Sequence, residues 1–361
     1  MGDFFVGYYI LYSFFFIIIL LDLIGGFFNR KLLYLKFQDF FLFLFLIAFY
    51  ILLANRSVNV GADTERYVRH YENMIYHGGD VYGSDFGFNI LNKLLIYINV
   101  SPQYYLFFLS LLFVVPVYYA FKKFENVNKV YLLWFFSSLF IFISMSTNVL
   151  RQGIGGAFIM LGVSLYLNNK NNSKRFIIPF LIAPFFHFSC LLAVFVFFTS
   201  KYVSDKIVYL ILFLSILLSY LGFNLNTLLV NLPIVGGLFL DRMDGYLNDN
   251  IKGYKTGFRI DFLIFNLFFI ILGYYISRLK GVSDRYKKYN FVYRVYVLLT
   301  SYFIMMFNIP FSDRFGILSW IFIPFLIYPI YEMNNLQYYK LKLFSVCLGF
   351  SLFLIFNVIG V

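Results

Sequence analysis

The run FVGYYILYSFFFIIILLDLIGGFF, residues 5–28, determines the fold class of this chain. A helix of about 20 apolar residues crosses the roughly 30 Å of hydrocarbon in a bilayer, and this run is long enough to do so. It ends in no small-residue cleavage site, and a second apolar run follows at once. We therefore predict a retained membrane helix and not a removed signal peptide.

Similar apolar runs recur along the whole chain. Hydrophobic residues make up 61% of the 361 residues and charged residues only 13%, so a soluble globule could not hide this surface from water. We expect an all-α, polytopic membrane protein with about 11 to 12 transmembrane helices in a single transmembrane domain over residues 1–361. The predicted spans are residues 5–28, 37–54, 103–120, 131–146, 149–167, 176–198, 207–223, 260–277, 292–308, 315–330 and 342–359.

Charge and cysteine content exclude several classes of protein. The net charge of +12 comes from basic residues in short loops between the spans, which points to a lipid bilayer as the partner and not to nucleic acid. Cys190 and Cys347 lie inside apolar runs and indicate neither a disulfide framework nor a metal site. The chain carries no Walker-type loop, no H-E-x-x-H motif and no cluster of metal ligands, so we expect no metal and no cofactor.

The basic loops set the predicted orientation. Loops around Lys31, Lys122 and Lys170 are cytoplasmic by the positive-inside rule, which places residues 55–102 outside. If each predicted span crosses the membrane in turn, the basic cluster from Arg278 to Lys288 also lies outside, which the positive-inside rule disfavours. The list of predicted spans therefore lacks one crossing.

Either of two topology assignments places that basic cluster on the cytoplasmic side. Either 176–198 is a pair of half-helices broken at Pro184 that enters and leaves on the cytoplasmic side, or residues 224–240 cross the membrane. We favour the broken pair because NLNTLLVNLPIVGGLFL, residues 224–240, carries Asn, Pro and Gly-Gly.

Both topology assignments predict that residues 55–102, the second loop 241–258 and Asp313 lie outside, while residues 279–291 lie inside. A cysteine placed at Ser283 is therefore expected to resist a membrane-impermeant thiol reagent added to intact cells, whereas a cysteine within 241–258 should react. Labelling at position 283 from outside would overturn the assignment.

The outer loop 55–102 mixes charges of both signs, which is not the composition of a flexible tail. We expect it to fold on the membrane surface as short amphipathic helices, with Asp63, Arg66 and Tyr67 at helical spacing. Long ordered loops are often functional, and the alternative is a solvated loop helix.

An arginine interrupts the apolar sequence MSTNVLRQGIGGAFIM, residues 145–160. Arg151 lies a turn inside a predicted span, where a charge is costly unless it meets an anion, faces a wet cavity or extends to the headgroups. Gly153, Gly155 and Gly156 follow it and allow close approach of a helix or ligand. We favour a functional role over extension to the headgroups.

Two further segments carry ionisable residues at the ends or breaks of apolar runs. His187 lies in IAPFFHFSCLL next to the predicted break at Pro184, where it is either a structural histidine or faces the cavity of Arg151. Arg314 follows Asp313, which alternatively serves only as a helix cap. Arg242 and Arg259 add positive charge on the same side, so together the arginines favour binding of an anion.

The order of three short motifs resembles a known family. Gly61-Ala-Asp63 with Tyr67 is followed by NVLRQG from Asn148 to Gly153 and by FHFS, residues 186–189. This order, in a multi-span chain rich in Phe and Tyr, resembles the EpsG-like and Wzy-type polysaccharide polymerases that make O-antigen or exopolysaccharide.

The resemblance implies a GT-C-like membrane glycosyltransferase. It would join undecaprenyl diphosphate-linked oligosaccharide units, as donor and acceptor, at the outer (periplasmic) face of the bacterial plasma (inner) membrane. A chain-length regulator and a flippase are further partners that the resemblance suggests.

The chemistry of that reaction assigns roles to the candidate residues. Negative charge develops on the diphosphate leaving group, which Arg151 first and Arg314 second would stabilise. The acceptor hydroxyl needs a base, and the sequence does not choose between His187 and Asp63, although we slightly favour Asp63. The predicted substrate-binding residues are Arg314, Gln152, Tyr67, Arg66, Asn148, Arg242 and Arg259.

Three other functions remain open from the sequence. A flippase or transporter for lipid-linked oligosaccharide would need basic residues along a passage open to both sides. An O-antigen ligase-like glycosyltransferase would use the same chemistry with another acceptor. A structural assembly partner of a chain-length regulator would need neither Arg151 nor His187.

Overall fold

The computed structural model of this chain describes residues 2–27, 35–78, 85–125, 127–168, 174–223, 256–279, 282, 288–332 and 339–359. Over these ranges the chain is almost entirely helical and has no β-strand, apart from an isolated antiparallel bridge between Val127 and Glu332. The prediction of an all-α polytopic protein is confirmed. The predicted crossing 224–240 lies outside the described residues, as does most of the loops 241–258 and 279–291.

Sixteen α-helices are described, and we number them in chain order. They are α1 Gly2–Phe27, α2 Leu35–Ala54, α3 Thr64–His77, α4 Phe86–Tyr97, α5 Pro102–Lys122, α6 Lys129–Ser138, α7 Phe140–Thr147, α8 Leu150–Leu167, α9 Ile177–Phe186, α10 Cys190–Thr199, α11 Asp205–Tyr220, α12 Ile260–Ser277, α13 Tyr289–Met305, α14 Asp313–Trp320, α15 Ile323–Ile327 and α16 Tyr339–Phe353. Short 3-10 turns follow α10 and α15, and a π-helical segment, Leu354–Ile359, extends α16.

Seven of the described helical segments are long and apolar enough to cross a membrane, or eight if the bent pair α6 and α7 forms one span. That pair replaces the predicted straight span 131–146 with two helices that meet at an angle of 79°. The predicted spans 207–223 and 292–308 correspond to α11 and α13, which have 16 and 17 residues and are shorter than a typical crossing helix.

The first helix shows why these segments are stable in lipid. One face of α1 is exposed although it is mainly apolar, and its large apolar residues recur every three or four positions, as a single helical face requires. They are Val6, Ile10, Phe14, Ile17, Leu21 and Ile24. A stripe of this kind is stable where acyl chains cover it and would be unfavourable in water.

The predicted break in 176–198 is present, but it lies three residues after Pro184. The proline is inside α9, and the interruption is His187–Ser189, where His187 adopts an extended backbone conformation before α10 begins at Cys190. Pro184 lacks the N–H that would donate to the Phe180 carbonyl, so the last turn of α9 has one hydrogen bond fewer than a regular helix.

The chain groups into two compact units, and the single transmembrane domain expected from the sequence stays a prediction. The first comprises Met1–Leu191 and Ile327–Val361, and the second comprises Leu192–Leu326. In the first unit the buried Trp134 ring stacks between Tyr12 and Phe16, with centroid distances of 4.9 and 5.5 Å.

The second unit has a polar centre. The Asn266 side-chain oxygen accepts hydrogen bonds from the Trp320 indole N–H at 3.1 Å and the Tyr296 hydroxyl at 3.4 Å. All three residues are buried, so the bonds satisfy polar groups that have no water available.

Candidate active site

The segment between α2 and α5 folds as two short helices, α3 and α4. The buried residues of α3 are Thr64, Tyr67, Val68, Tyr71 and Met74, which repeat at helical spacing and form its inner face. This face packs on α5, and α4 packs on α9. The segment is therefore held against the helical bundle of the first unit.

A turn before α3 fixes where that helix begins. The Ala62 N–H donates to the Asn148 side-chain oxygen at 2.9 Å, and the Thr64 hydroxyl donates to the Thr147 carbonyl at 2.8 Å. Gly61 has φ +91°, and a β-carbon there would lie 2.5 Å from the Thr147 carbonyl oxygen. Asn148, a predicted substrate-binding residue, thus holds the turn against the start of α8.

Asp85, immediately before α4, is the centre of the polar cluster. One carboxylate oxygen, Oδ2, accepts from Arg151 Nη1 at 2.5 Å and lies 3.1 Å from His187 Nδ1. The other, Oδ1, accepts the Phe188 backbone N–H at 3.1 Å. The Asp85 side chain is only 5% exposed. One buried carboxylate therefore joins α4, α8 and the α9–α10 break.

The charge state of Asp85 follows from these contacts. Burial by itself disfavours ionisation, but the hydrogen bond and charge of His187, the charge of Arg151 and the Phe188 N–H outweigh it. Together they hold the pKa of the Asp85 carboxyl below its ordinary value of 3.8. Asp85 is therefore a carboxylate at neutral pH.

Aromatic rings surround the Arg151 guanidinium. Its carbon lies 5.8 Å from the centroid of Tyr67 and 5.9 Å from that of Phe88, and these two rings meet edge to face at 5.7 Å. Arg151 Nε also donates to the Tyr67 hydroxyl at 3.4 Å. The anion that the sequence required for Arg151 is supplied by Asp85.

His187 lies in the short segment between α9 and α10, and Gln152 holds that segment in place. Gln152 Nε2 donates to the Ser189 hydroxyl at 3.3 Å, which ties the start of α8 to the break. A carboxylate at Nδ1 favours the tautomer that carries its proton there, which leaves Nε2 as the acceptor. His187 thus presents a nitrogen able to take a proton.

A second histidine lies near this cluster. His70 is on α3, one turn beyond Tyr67, and burial followed by the charge of Arg151 lowers its pKa below the ordinary 6.5. The imidazole of His70 is therefore neutral at pH 7 and adds no positive charge beside Arg151.

Other predicted residues lie outside this cluster of contacts. Asp63, the residue before α3, forms an ion pair at 3.1 Å with Arg66 in the first turn of that helix. In the second unit, Arg259 forms a two-pronged pair with Asp261, and the Arg314 guanidinium lies over the Phe311 ring at 4.9 Å. Arg242 lies outside the described residues.

The sequence analysis missed Asp85 and His70. Asp85 directly precedes the apolar FGFN at the start of α4, and it was read only as part of the loop. The available signal was the requirement of Arg151 for a counter-anion, which should have directed attention to the acidic residues of that loop.

A close contact at Gly153 holds α8 against the end of α7. A β-carbon at this position would lie 1.9 Å from the Met145 carbonyl oxygen, which is backbone and cannot rotate away. We expect Gly153→Ala to lower the melting temperature of the purified protein markedly, because overpacking of this kind costs about 1–3 kcal/mol.

Gly2→Ala is the matched control for Gly153→Ala, since an added methyl group there meets nothing within 4 Å. Equal melting temperatures for the two variants would contradict the close approach of α7 and α8.

Comparison with known proteins identifies a matching family. The model described as the EpsG family matches residues 39–361, which is most of the chain and includes every described residue of the Asp85 cluster. No curated protein and no solved structure matches the chain.

Proposed function

The chain belongs to the EpsG family of polysaccharide polymerase-like membrane proteins, and from this premise we propose that it joins undecaprenyl diphosphate-linked oligosaccharide units. The observation that carries the proposal is the buried Asp85, which contacts both Arg151 and His187. A guanidinium and an oriented imidazole on one carboxylate provide the two functions that glycosyl transfer from a diphosphate requires.

Arg151 acts on the leaving group. As the bond between the anomeric carbon and the phosphate oxygen breaks, its electron pair stays with the diphosphate, and the guanidinium stabilises that charge. Tyr67 and Phe88 limit the movement of the guanidinium, so it meets the diphosphate in a fixed orientation.

His187 acts as the base for the acceptor. A hydroxyl of the incoming unit attacks the anomeric carbon, and its proton passes to His187 Nε2 while Asp85 holds Nδ1. The sequence slightly favoured Asp63 for this step. We now favour His187, because Asp63 pairs with Arg66 while the carboxylate on His187 is buried and fixed.

The remaining predicted residues support these two. Gln152 positions the break that carries His187, and Asn148 positions the turn before α3. We assign Arg66 as a further contact to the anionic substrate, while the contacts of Arg314, Arg242 and Arg259 with the substrate stay predictions from the sequence. Arg314 is the second residue of α14, at the start of the apolar segment Asp313–Tyr331.

The setting of the reaction follows from its substrate. We propose a GT-C-like enzyme in the bacterial plasma (inner) membrane whose site opens on the outer (periplasmic) face, where flipped lipid-linked units arrive. A flippase supplies those units, and a chain-length regulator acts on the product. The lipid bilayer carries both donor and acceptor.

Complementation of a polymerase-deficient strain tests the proposal. Expression of the chain is expected to restore a ladder of glycan lengths on a gel, where the deficient strain shows only single repeat units. Single units that stay on the inner leaflet until this chain is expressed would indicate a flippase and contradict the proposal. A strain with a defective ligase serves as control, because it polymerises without transfer to the final acceptor.

A further inference from the structure

A second arginine of the first unit is buried at the outer end of α2 in the predicted orientation. Arg56 follows the apolar span Phe37–Ala54 and is only 6% exposed. Its Nη1 donates to the Leu53 carbonyl at 2.8 Å and to the Ser110 hydroxyl at 3.2 Å. These bonds cap the C-terminal end of α2 and fix one end of the guanidinium.

The other edge of that guanidinium is unpartnered. Arg56 Nε and Nη2 are buried and have no hydrogen-bond partner among the residues that the structure describes. These two nitrogens form one edge of the planar group, and two parallel N–H bonds from such an edge match the oxygens of a phosphate or carboxylate. Burial lowers the pKa of Arg56 to about 10, so the group remains cationic at neutral pH.

Arg56 also lines a cavity of about 430 Å³. Its polar wall includes Asn55, Glu72 and Gln103, and Arg56 forms no ion pair with Glu72. A buried cation without a counter-charge is costly, and an anion in the cavity would compensate it once a side chain that lines the cavity moves to expose Nε and Nη2. Glu72 would at the same time accept hydrogen bonds from donors on that ligand.

The position of the cavity identifies the source of the anion. Below it, Ile51 on α2 and Phe107 on α5 are large exposed apolar residues, and Tyr104 is exposed at the start of α5. Exposed tyrosine at the end of an apolar band marks the headgroup level of a bilayer. We therefore expect an anion bound at this depth to be the phosphate of a lipid.

We propose that Arg56 binds the phosphate of a membrane lipid whose headgroup carries hydroxyl or ammonium donors for Glu72. The site is separate from the Arg151 cluster, and binding there does not rest on the proposed function. Two sources share this chemistry, a bulk phospholipid and a lipid-linked glycan.

Native mass spectrometry of the purified full-length protein tests the site. The probes are phosphatidylglycerol, phosphatidylethanolamine, undecaprenyl diphosphate-linked oligosaccharide and inorganic phosphate, each added separately. Arg56→Gln is expected to weaken retention of one lipid copy by about tenfold or more, because a two-pronged charged contact is lost. The lipid whose retention falls identifies the source.

Arg69→Gln is the matched control, since that arginine has a side chain 73% exposed on α3 and pairs with Glu65. It is expected to leave lipid retention unchanged. Wild-type retention by Arg56→Gln would overturn the proposal, and so would saturation of the site by inorganic phosphate in the absence of lipid.

Two further variants keep the test decisive if Arg56→Gln does not fold. Arg56→Lys retains the charge but not the two-pronged edge, and Glu72→Gln removes the headgroup acceptor. Both are expected to weaken lipid retention several-fold. Unchanged retention in either variant would count against the site.

Discussion

Arg151→Lys is expected to lower polymer formation by about 100-fold or more, with single lipid-linked units accumulating in its place. Lysine keeps a positive charge beside Asp85, so the buried carboxylate is still paired. The lysine side chain ends in a single ammonium group, whereas a guanidinium presents two parallel N–H groups in one plane. A single ammonium does not hold two phosphate oxygens in that plane. The measurement is the length distribution of glycan made by the purified variant.

Arg151→Ala separates folding from chemistry. It leaves Asp85 without its closest charge partner, and breaking a buried pair of this kind costs about 3–5 kcal/mol. We expect this variant to lose thermal stability as well as activity, whereas Arg151→Lys loses mainly activity. A lysine variant that makes full-length polymer would show that simple charge neutralisation suffices at position 151.

Asp85→Asn is expected to lower turnover by about 10³- to 10⁴-fold while the protein remains folded. The amide has nearly the same shape as the carboxylate, but its N–H₂ group facing His187 Nδ1 would favour the opposite tautomer, with the proton on Nε2. A protonated Nε2 cannot accept the proton of the acceptor hydroxyl. The variant also removes the carboxylate charge that pairs with Arg151.

Asp63→Asn is the matched control for this experiment. Asp63 pairs with Arg66, whose side chain is largely exposed, so its loss is expected to change turnover only a few-fold. Near-normal turnover by Asp85→Asn together with inactive Asp63→Asn would transfer the base to Asp63 and contradict the assignment to His187.

The lowered pKa of Asp85 predicts how its contribution to stability depends on pH. A carboxyl whose pKa falls on folding stabilises the protein above its unfolded value of 3.8, and this stabilisation is lost as pH falls through the folded value. The melting temperature of the wild type should therefore exceed that of Asp85→Asn by a margin that shrinks as the pH is lowered from about 5.5 to about 3. A margin that does not change over that range would show that folding does not hold Asp85 ionised.

The features that the sequence predicted best are local ones. The α1 stripe repeats at helical spacing, and the break near His187 follows from a proline three residues earlier, so both can be read within one segment. The sequence did not predict the bend between α6 and α7. The bend lies at Leu139, where no proline or glycine interrupts the chain, and the following IFISMST continues the apolar run.

The contacts of the site depend on tertiary structure. Asp85 is 66 residues from Arg151 and 102 from His187 in the chain, and no periodicity relates them. The packing of both α4 and α8 on α9 brings these side chains together. The need of Arg151 for an anion was predictable, but which carboxylate supplies it was not.

The pair between Asp85 and Arg151 also bears on turnover. Because Asp85 is tethered beside the guanidinium, it acts as an intramolecular competitor at high effective concentration for any anion that binds there. Under the proposed function, weak anions such as chloride or free phosphate are excluded, and only a substrate that gains binding energy elsewhere displaces the carboxylate. After transfer, return of Asp85 to Arg151 favours release of the lipid diphosphate, so the same contact limits product inhibition.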